Sequence, residues 1–337
     1  MAGSPNGPAP APVPAAQSGQ PAQAGQPAQT AQRAPADQPA QTAPVLRASG
    51  LSLRYDSRLV VEGLDLELPP GAVTAVVGAN ACGKSTLLRG LARLLGPAAG
   101  TVTLDGDPLA SIGDRALARR LGVLPQQPTA PDGISVRELV MRGRYPHRPE
   151  GIVGRWFGGS SAADETAVDA ALAATGTADL AGRGIEELSG GQRQRVWIAM
   201  ALAQETEVLL LDEPTTFLDL AHQVEVLDLI RELNAARGVT VAAVLHDLNL
   251  AARYADHVVA MKAGAIVAQG RPADVFTEGL VAEVFGLEAR VVPDPVAGTP
   301  LIVPLGRHMP QAGSGHSAGE GDVKYETTPL RNAGTPA

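Results

Sequence analysis

The chain has 337 residues, of which 45% are hydrophobic, so it can supply the core of one large domain or two ordinary ones. Its net charge of −8 lacks the basic excess of a protein that neutralises many phosphates, which excludes nucleic acid from the expected partners. Cys82 is the single cysteine, so no intramolecular disulfide is possible and the composition fits a reducing compartment.

Two low-complexity segments bound the expected folded domain. Residues 1–44 are almost entirely Pro, Ala, Gln, Gly, Ser and Thr, which bury too little apolar surface to offset the entropy of ordering, so we predict a disordered arm. Residues 308–337 predict a flexible tail by the same criterion. No apolar run approaches the length of about 18 residues that spans a bilayer. We therefore expect a domain at residues 45–307 that meets membranes only through other subunits.

Within this domain, short apolar runs alternate with amphipathic stretches, which predicts an α/β fold around a mostly parallel sheet. Val73–Val77, Val208–Leu211 and Val239–Leu245 are near-continuous aliphatic runs and predict buried strands. Each run ends at a polar motif. Ligands of parallel sheets gather beyond the carboxyl ends of the strands, so the chemistry is expected there.

Residues from about 134 to 187 have a different pattern. Helical periodicity in Val136–Met141 and Glu165–Ala174 surrounds a loop rich in Gly and Arg. We interpret this segment as a helical insertion.

A phosphate-binding loop follows the first of these strands. Its sequence matches G-x-x-x-x-G-K-[ST] and precedes an apolar-periodic helix expected to contain Leu87, Leu88, Leu91, Leu94 and Leu95. Backbone N–H groups of such a loop bind phosphate oxygens, Lys84 reaches the β- and γ-phosphates and Ser85 coordinates Mg²⁺. An ordinary glycine-rich turn is the alternative, and the flanking strand and helix argue against it. The expected nucleotide-binding residues are Gly78, Ala79, Asn80, Ala81, Cys82, Gly83, Lys84, Ser85 and Thr86.

Two adjacent carboxylates end the second strand. With a phosphate loop in the same sheet, Asp212 can hold Mg²⁺ and Glu213 can polarise an attacking water, because phosphoryl transfer depends on positioning and charge neutralisation. The alternative is that the two acids only cap the end of the strand.

A third motif, Leu188–Arg195, reads Leu-Ser-Gly-Gly-Gln-Arg-Gln-Arg and precedes a helix through Val196–Ala203. Ser189 can cap this helix, and Gly190 and Gly191 let the backbone approach an anion.

The order of phosphate loop, L-S-G-G-Q signature and strand ending D-E-P resembles the ATP-binding cassette family over about residues 46–306. The resemblance implies a P-loop NTPase core with flanking helices and an antiparallel β-subdomain, an inserted helical subdomain, and the cofactors ATP and Mg²⁺. It also implies roles for single residues. Tyr55 would stack on adenine, Gln126 would link Mg²⁺ to the helical subdomain, Asp219 would lie in the D-loop, and His246 would sense the γ-phosphate.

In this family the signature of one subunit meets the nucleotide of the other. The resemblance therefore implies a head-to-tail homodimer enclosing two ATP molecules, with Ser189, Gly190, Gly191 and Gln192 acting in trans, or a heterodimer of two cassettes.

The phosphate loop departs from the commonest family pattern, which has Pro and Gly where this chain has Ala79 and Ala81. A positive φ would strain Ala81 by about 1 kcal/mol, so we expect a right-handed conformation there. Cys82 lies near a helix N-terminus that favours thiolate, and its alkylation would obstruct the nucleotide. The alternative is that Cys82 is only a small residue that fits.

The segments Val136–His147, Thr215–Gln223 and Leu245–Ala252 are similar to the cassettes of ferric-siderophore, haem and cobalamin importers. This similarity implies permease subunits, an extracytoplasmic binding protein met indirectly, and a place on the cytoplasmic face of the membrane. Arg142, Arg144 and His147 are then candidate contacts on the rim of the permease groove, or else a solvated basic face.

Other transporters and soluble cassette proteins of DNA repair or ribosomes are the alternatives. The sequence has one phosphate loop, one signature and no heptad run, whereas DNA-repair relatives insert coiled coils and ribosomal ones carry two cassettes. An exporter usually carries fused membrane helices.

Overall fold

The computed structural model describes residues 43–148, 160–216 and 218–306. The strands of the described residues are β1 (Leu46–Tyr55), β2 (Arg58–Glu67), β3 (Val73–Gly78), β4 (Ala99–Leu104), β5 (Asp107–Pro108), β6 (Leu121–Leu124), β7 (Val208–Leu211), β8 (Thr240–Val244), β9 (His257–Lys262), β10 (Ala265–Gly270), β11 (Ala289–Pro293) and β12 (Pro300–Pro304). The α-helices are α1 (Lys84–Leu91), α2 (Asp114–Arg120), α3 (Val136–Arg142), α4 (Ala162–Ala174), α5 (Gly190–Ala203), α6 (Leu220–Arg237), α7 (Leu248–Tyr254), α8 (Pro272–Val275) and α9 (Glu278–Phe285).

The central sheet has six strands in the order β10-β9-β3-β8-β7-β6. All neighbouring pairs are parallel except β10 with β9, and every residue of β3, β7 and β8 is buried. Strands covered on both faces need apolar residues at every position, which explains the continuous aliphatic runs. The predicted α/β fold with a mostly parallel sheet is confirmed.

A second, antiparallel sheet has the order β2-β1-β4-β5 and packs against helix α1. Leu53 of this sheet lies so close to the helix that a Cβ at Gly90 would come within 2.5 Å of its Cδ1. The predicted helix was too long at its C-terminal end. It ends at Leu91, Arg93 turns to a φ of 58°, and Leu94 is 64% exposed.

The two ends of the helical insertion lie side by side. Ser135 and Gly184 form an isolated antiparallel bridge, and the N–H of Ile185 donates to the carbonyl of Ile134 at 3.1 Å. Helices α3 and α4 lie within this insertion. Ser135 caps α3 and Ser161 caps α4, and each serine forms a capping box. The predicted loop rich in Gly and Arg falls mainly in residues 149–159, outside the described residues.

The chain beyond the central sheet forms a hairpin of β11 and β12 that packs on helix α7. At the other end Pro44, which was predicted to lie in the arm, is buried, and its carbonyl accepts a hydrogen bond from Thr240. Residues 1–42 of the predicted arm and the whole of the predicted tail, residues 308–337, lie outside the described residues. Among the described helices, none is long and apolar enough to cross a membrane.

Candidate active site

The phosphate loop joins β3 to α1 at the carboxyl end of the central sheet. Lys84 is buried, and its Nζ donates to the carbonyls of Gly78 at 2.8 Å and Ala79 at 3.0 Å. A Cβ at Gly78 would lie 2.3 Å from the carbonyl oxygen of Met261, so only glycine fits there. Gly83 precedes α1 with a φ of 109°, a conformation that glycine adopts without strain. These constraints hold the loop closed around the Lys84 ammonium.

The expectation of a right-handed Ala81 is wrong. Ala81 has a φ of 59°, in the left-handed region, and lines the cavity above the loop. The physical reason is a tight turn over residues 79–82, closed by a hydrogen bond from the N–H of Cys82 to the carbonyl of Ala79 at 3.3 Å. Ala81 is the third residue of this turn, the position that takes a positive φ in a type II turn. The sequence keeps alanine at a conformational cost of about 1–2 kcal/mol.

Cys82 turns away from the cavity. Its side chain is buried among the apolar residues between the two sheets, in a cluster with Val76 and Leu87. The Sγ is near enough to Gly78 that a Cβ on that glycine would lie 2.8 Å from it. This placement favours the interpretation of Cys82 as a small residue that fits.

Ser85 and Asp212 come together across the site. The Ser85 hydroxyl donates to Oδ1 of Asp212 at 2.8 Å, bringing the start of α1 against the end of β7. Burial raises the pKa of Asp212, and the hydrogen bond from Ser85 only partly opposes that effect. A hydroxyl and a carboxylate are the oxygen ligands that hard cations prefer. The pair therefore fits the chemistry of a Mg²⁺ site.

Glu213 is the most heavily hydrogen-bonded carboxylate of the site. Its Oε2 accepts from Gln126 Nε2 at 2.6 Å and from Thr216 Oγ1 at 3.0 Å, and its Oε1 lies 2.7 Å from Nε2 of His246. Burial would raise the pKa of Glu213, but these hydrogen bonds outweigh it and leave the pKa below its ordinary value. Its φ of 56° is a further departure from ordinary backbone. The end of β7 thus presents an ionised, oriented carboxylate.

A cavity of about 540 Å³ opens over these groups. It brings together Lys84, Ser85, Gln126, Glu213 and His246 with the loop residues Asn80, Ala81, Gly83 and Thr86. Its wall also includes Arg58 and Val60 of β2, which were not predicted from the sequence. Their only sequence signal was their position just beyond Tyr55. Thr216 was missed as well, and its signal was a hydroxyl one turn after Glu213.

Tyr55 lies next to this cavity without lining it. It ends β1, pairs with Arg58 across the turn to β2, and is 40% exposed. Its hydroxyl accepts a hydrogen bond from Arg89 of α1 at 3.0 Å. The ring is thus tied to the helix that begins at Lys84, and its stacking on adenine stays a prediction.

The signature does not line the cavity of its own chain. Ser189 caps α5, its hydroxyl accepting from the N–H of Gln192 at 3.2 Å, while Oε1 of Gln192 accepts from the N–H of Ser189 at 3.1 Å. Gly190 and Gly191 form the first two residues of the helix. The amide of Gln194 donates to the carbonyl of Pro214 at 2.8 Å, so α5 is connected to the residue after Glu213.

Asp219 caps α6 and is likewise absent from the cavity wall. Its Oδ1 accepts from the N–H of His222 at 3.0 Å and lies 2.6 Å from Nδ1 of the same residue. The backbone hydrogen bond from His222 lowers the pKa of Asp219. The ring of His222 approaches Gly191, whose Cβ would lie 3.1 Å from it. The start of α6 and the signature are therefore adjacent.

Of the three expected rim contacts, only Arg142 is exposed on a groove. It lines a cavity of about 710 Å³ with Arg137, Met141 and Tyr145. Arg144 was predicted wrongly, because it is buried and its guanidinium contacts Asp164 at 2.9 Å and Glu205 at 2.7 Å.

His147 also turns inward, with its Nε2 2.8 Å from the carbonyl of Gln204. Arg144 and His147 therefore hold the insertion against the end of α5.

The arrangement can perform one kind of chemistry. A buried lysine and a loop of backbone N–H groups suit a polyphosphate, a hydroxyl and a carboxylate suit a hard cation, and an ionised glutamate suits a water nucleophile. Comparison with known proteins agrees with this chemistry. The family model for the ABC transporter matches residues 61–216, which contain the phosphate loop, the signature and Glu213.

Two curated relatives are similar over nearly their whole length. The achromobactin transport ATP-binding protein CbrD of Dickeya dadantii (strain 3937) is 55% identical over 261 residues, covering 77% of this chain and 95% of the relative. The ferric enterobactin transport ATP-binding protein FepC of Escherichia coli (strain K12) is 52% identical over 265 residues, covering 79% and 96%.

Among solved structures, an inward-facing metal-chelate type ABC transporter matches with a TM-score of 0.66 and 29% identity, covering 78% of this chain and 98% of the solved chain. The chain therefore belongs to the ABC transporter family, as an ATP-binding subunit that hydrolyses ATP coupled to transport.

Proposed function

We propose that the chain powers the import of ferric siderophores. The observation that carries the proposal is that CbrD and FepC, two relatives sharing more than half of the aligned residues over nearly their full length, are named for siderophore transport. The cassette itself does not touch cargo, so the identity of the cargo is inferred from this similarity. The ATPase chemistry is supported independently by the site.

The phosphates of ATP are held by the loop. Backbone N–H groups and the N-terminus of α1 attract the phosphate oxygens, and the Lys84 ammonium exchanges the carbonyls of Gly78 and Ala79 for the β- and γ-phosphates. Tyr55 stacks on adenine beside the cavity.

Ser85, Asp212 and Gln126 would hold Mg²⁺. Ser85 and Asp212 already face each other at 2.8 Å, and a cation there would favour the ionised form of Asp212 against the effect of burial. When bound, Mg²⁺ neutralises charge on the β- and γ-phosphates.

Glu213 orients the attacking water. Gln126, Thr216 and His246 fix both of its oxygens, so the carboxylate accepts the water's hydrogen bond in a set direction. His246, from a neighbouring strand end, lines the same cavity and would donate to the γ-phosphate through the ring nitrogen that does not contact Glu213. The water's proton moves toward Glu213 as the bond to the γ-phosphorus forms and the bond to the leaving ADP oxygen breaks.

The signature acts from a second copy of the chain. Ser189, Gly190, Gly191 and Gln192 are ordered at a helix start yet lie off their own chain's cavity, which suits completion of the site by a head-to-tail partner. Asp219, adjacent to the signature through His222, belongs to the same contact surface. Closure on ATP and opening after hydrolysis would supply the force for transport.

The groove of the helical insertion receives the permease. The groove carries charged groups of both signs and also apolar area from Met141 and Tyr145. Its charged residues are Arg137, Glu138, Arg142, Arg148 and Glu165, of which Arg137 and Glu165 form an ion pair. This docking places the chain on the cytoplasmic face of the membrane, where it meets the extracytoplasmic binding protein only through the permease.

The test is uptake by a deletion strain under iron limitation. Loss of labelled ferric-siderophore uptake, restored by the wild-type chain and not by Glu213→Gln, is the expected result. Normal siderophore uptake combined with a defect in haem or cobalamin uptake would replace the cargo and leave the ATPase chemistry standing.

A further inference from the structure

The residues that follow His246 connect the candidate active site to the C-terminal hairpin. His246 lies between the end of β8 and the start of α7, and its Nε2 contacts Glu213 at 2.7 Å. Asp247 caps α7, its Oδ1 accepting from the N–H of Asn249 at 2.8 Å and of Leu250 at 2.9 Å. The backbone that carries the imidazole is therefore fixed in position by the first turn of α7.

Asn249, in that first turn, is bound to the hairpin by a pair of hydrogen bonds. Its Oδ1 accepts from the N–H of Ile302 at 2.7 Å, and its Nδ2 donates to the carbonyl of the same residue at 3.3 Å. A side-chain amide that binds both the N–H and the carbonyl of one backbone residue makes the same two hydrogen bonds as a residue of a neighbouring strand. It fixes position and orientation together.

The hairpin is itself anchored on the body of the domain. Ile302 and Ala289 are buried in the main core. One helical turn beyond Asn249, Arg253 forms an ion pair with Asp294 of the hairpin loop at 3.0 Å. Two contacts spaced four residues apart on α7 thus hold the helix against a rigid partner.

We infer that Asn249 is a positioning residue for ATP hydrolysis, setting the place of His246 by holding the first turn of α7 on the C-terminal hairpin. The inference rests on the role of His246 in the proposed function. Asn249 does not line the active-site cavity and its side chain is hydrogen-bonded to Ile302 rather than to Glu213, so its effect passes through the helix start. Loss of the pair should displace the imidazole without altering the phosphate loop.

The experiment compares Asn249→Ala with Asn249→Asp in the full chain. The alanine variant loses both hydrogen bonds and should lower kcat about tenfold with an unchanged KM for ATP, because small misplacements are costly for catalysis. The aspartate variant keeps the acceptor for the Ile302 N–H and suits the first turn of a helix, but it sets a second oxygen against the Ile302 carbonyl, so it should lose only part of kcat. The control is Arg290→Ala, which removes an exposed ion pair of the same hairpin and should leave kcat unchanged.

A double-mutant cycle separates positioning from general stability. In a His246→Ala background, followed by single-turnover hydrolysis of radiolabelled ATP, Asn249→Ala should cause no further loss. Full kcat in Asn249→Ala would overturn the inference. An equal loss of hydrolysis rate from Asn249→Ala in the wild-type and His246→Ala backgrounds would also overturn it. If Asn249→Ala does not fold, the aspartate variant decides by the same cycle. Full activity of His246→Ala alone would instead refute the role of His246 in the proposed function.

Discussion

Nε2 of His246 lies 2.7 Å from Oε1 of Glu213, so the ends of two neighbouring strands, β7 and β8, meet through their side chains. Gln126, from the segment after β6, completes the contact on the other oxygen of Glu213. Three adjacent strands of one parallel sheet thus supply one hydrogen-bonded group. The carboxyl edge of the sheet places the group, and the hydrogen bonds orient it.

These hydrogen bonds predict how stability depends on pH. The pKa of Glu213 in the folded chain is lowered, so the ionised carboxylate stabilises the fold above its unfolded value of about 4.3. That contribution is lost as pH falls through the folded-state pKa. The difference in unfolding free energy between wild type and Glu213→Gln should therefore shrink on acidification below about pH 4.3. Denaturant titrations at several pH values measure it, and a difference that widens toward acid contradicts the assignment.

The left-handed conformation of Ala81 predicts different results for its replacement by glycine and by valine. Ala81→Gly relieves the strain of a φ of 59° but adds entropy to the unfolded chain, so stability should change by no more than about 0.5 kcal/mol and hydrolysis should persist. Ala81→Val places a β-branched residue in the left-handed region and should weaken ATP binding. Titration with a fluorescent ATP analogue checks both, and equal affinity of the two variants would contradict the loop conformation.

Cys82 predicts slow alkylation. Its thiol is packed among apolar residues between the two sheets, so a maleimide should label the native chain far more slowly than the urea-unfolded chain, and ATPase activity should survive the exposure. Cys82→Ser should still hydrolyse ATP. Rapid inactivation that ATP slows would show instead that the thiol reaches the nucleotide site.

Substitutions at Arg144 and Arg142 of the helical insertion form a matched pair, because the first residue is buried and the second is exposed. Arg144→Ala leaves the buried carboxylate of Asp164 without its ion-pair partner and should lower the free energy of unfolding by about 3–5 kcal/mol. Arg142→Glu changes an exposed residue of the groove and should leave stability and basal hydrolysis intact while lowering siderophore uptake. Chemical denaturation and transport assays check the pair. Equal stability of the two variants would contradict the buried position of Arg144.

The parts of the site that follow from a linear pattern were predictable. Lys84 and Ser85 belong to one motif, and Asp212 and Glu213 follow an aliphatic run whose burial on both faces is evident from its composition. The buried Arg144 was not predictable, because its partner Glu205 is 61 residues away. The contact of Asn249 with Ile302 spans 53 residues, and a single sequence shows no signal for it. The φ of Ala81 depends on the path of the whole loop.

The most direct test of the account is the behaviour of Glu213→Gln with Mg²⁺ and ATP. The substitution keeps the shape of the side chain and removes the charge that orients water, so ATP binding should persist while hydrolysis nearly stops. Lys84→Ala is the control, because loss of the ammonium should abolish hydrolysis and sharply weaken ATP binding. Sizing chromatography of Glu213→Gln should show an ATP-dependent dimer that Lys84→Ala does not form. Wild-type turnover in Glu213→Gln, or no dimer despite bound ATP, would contradict the account.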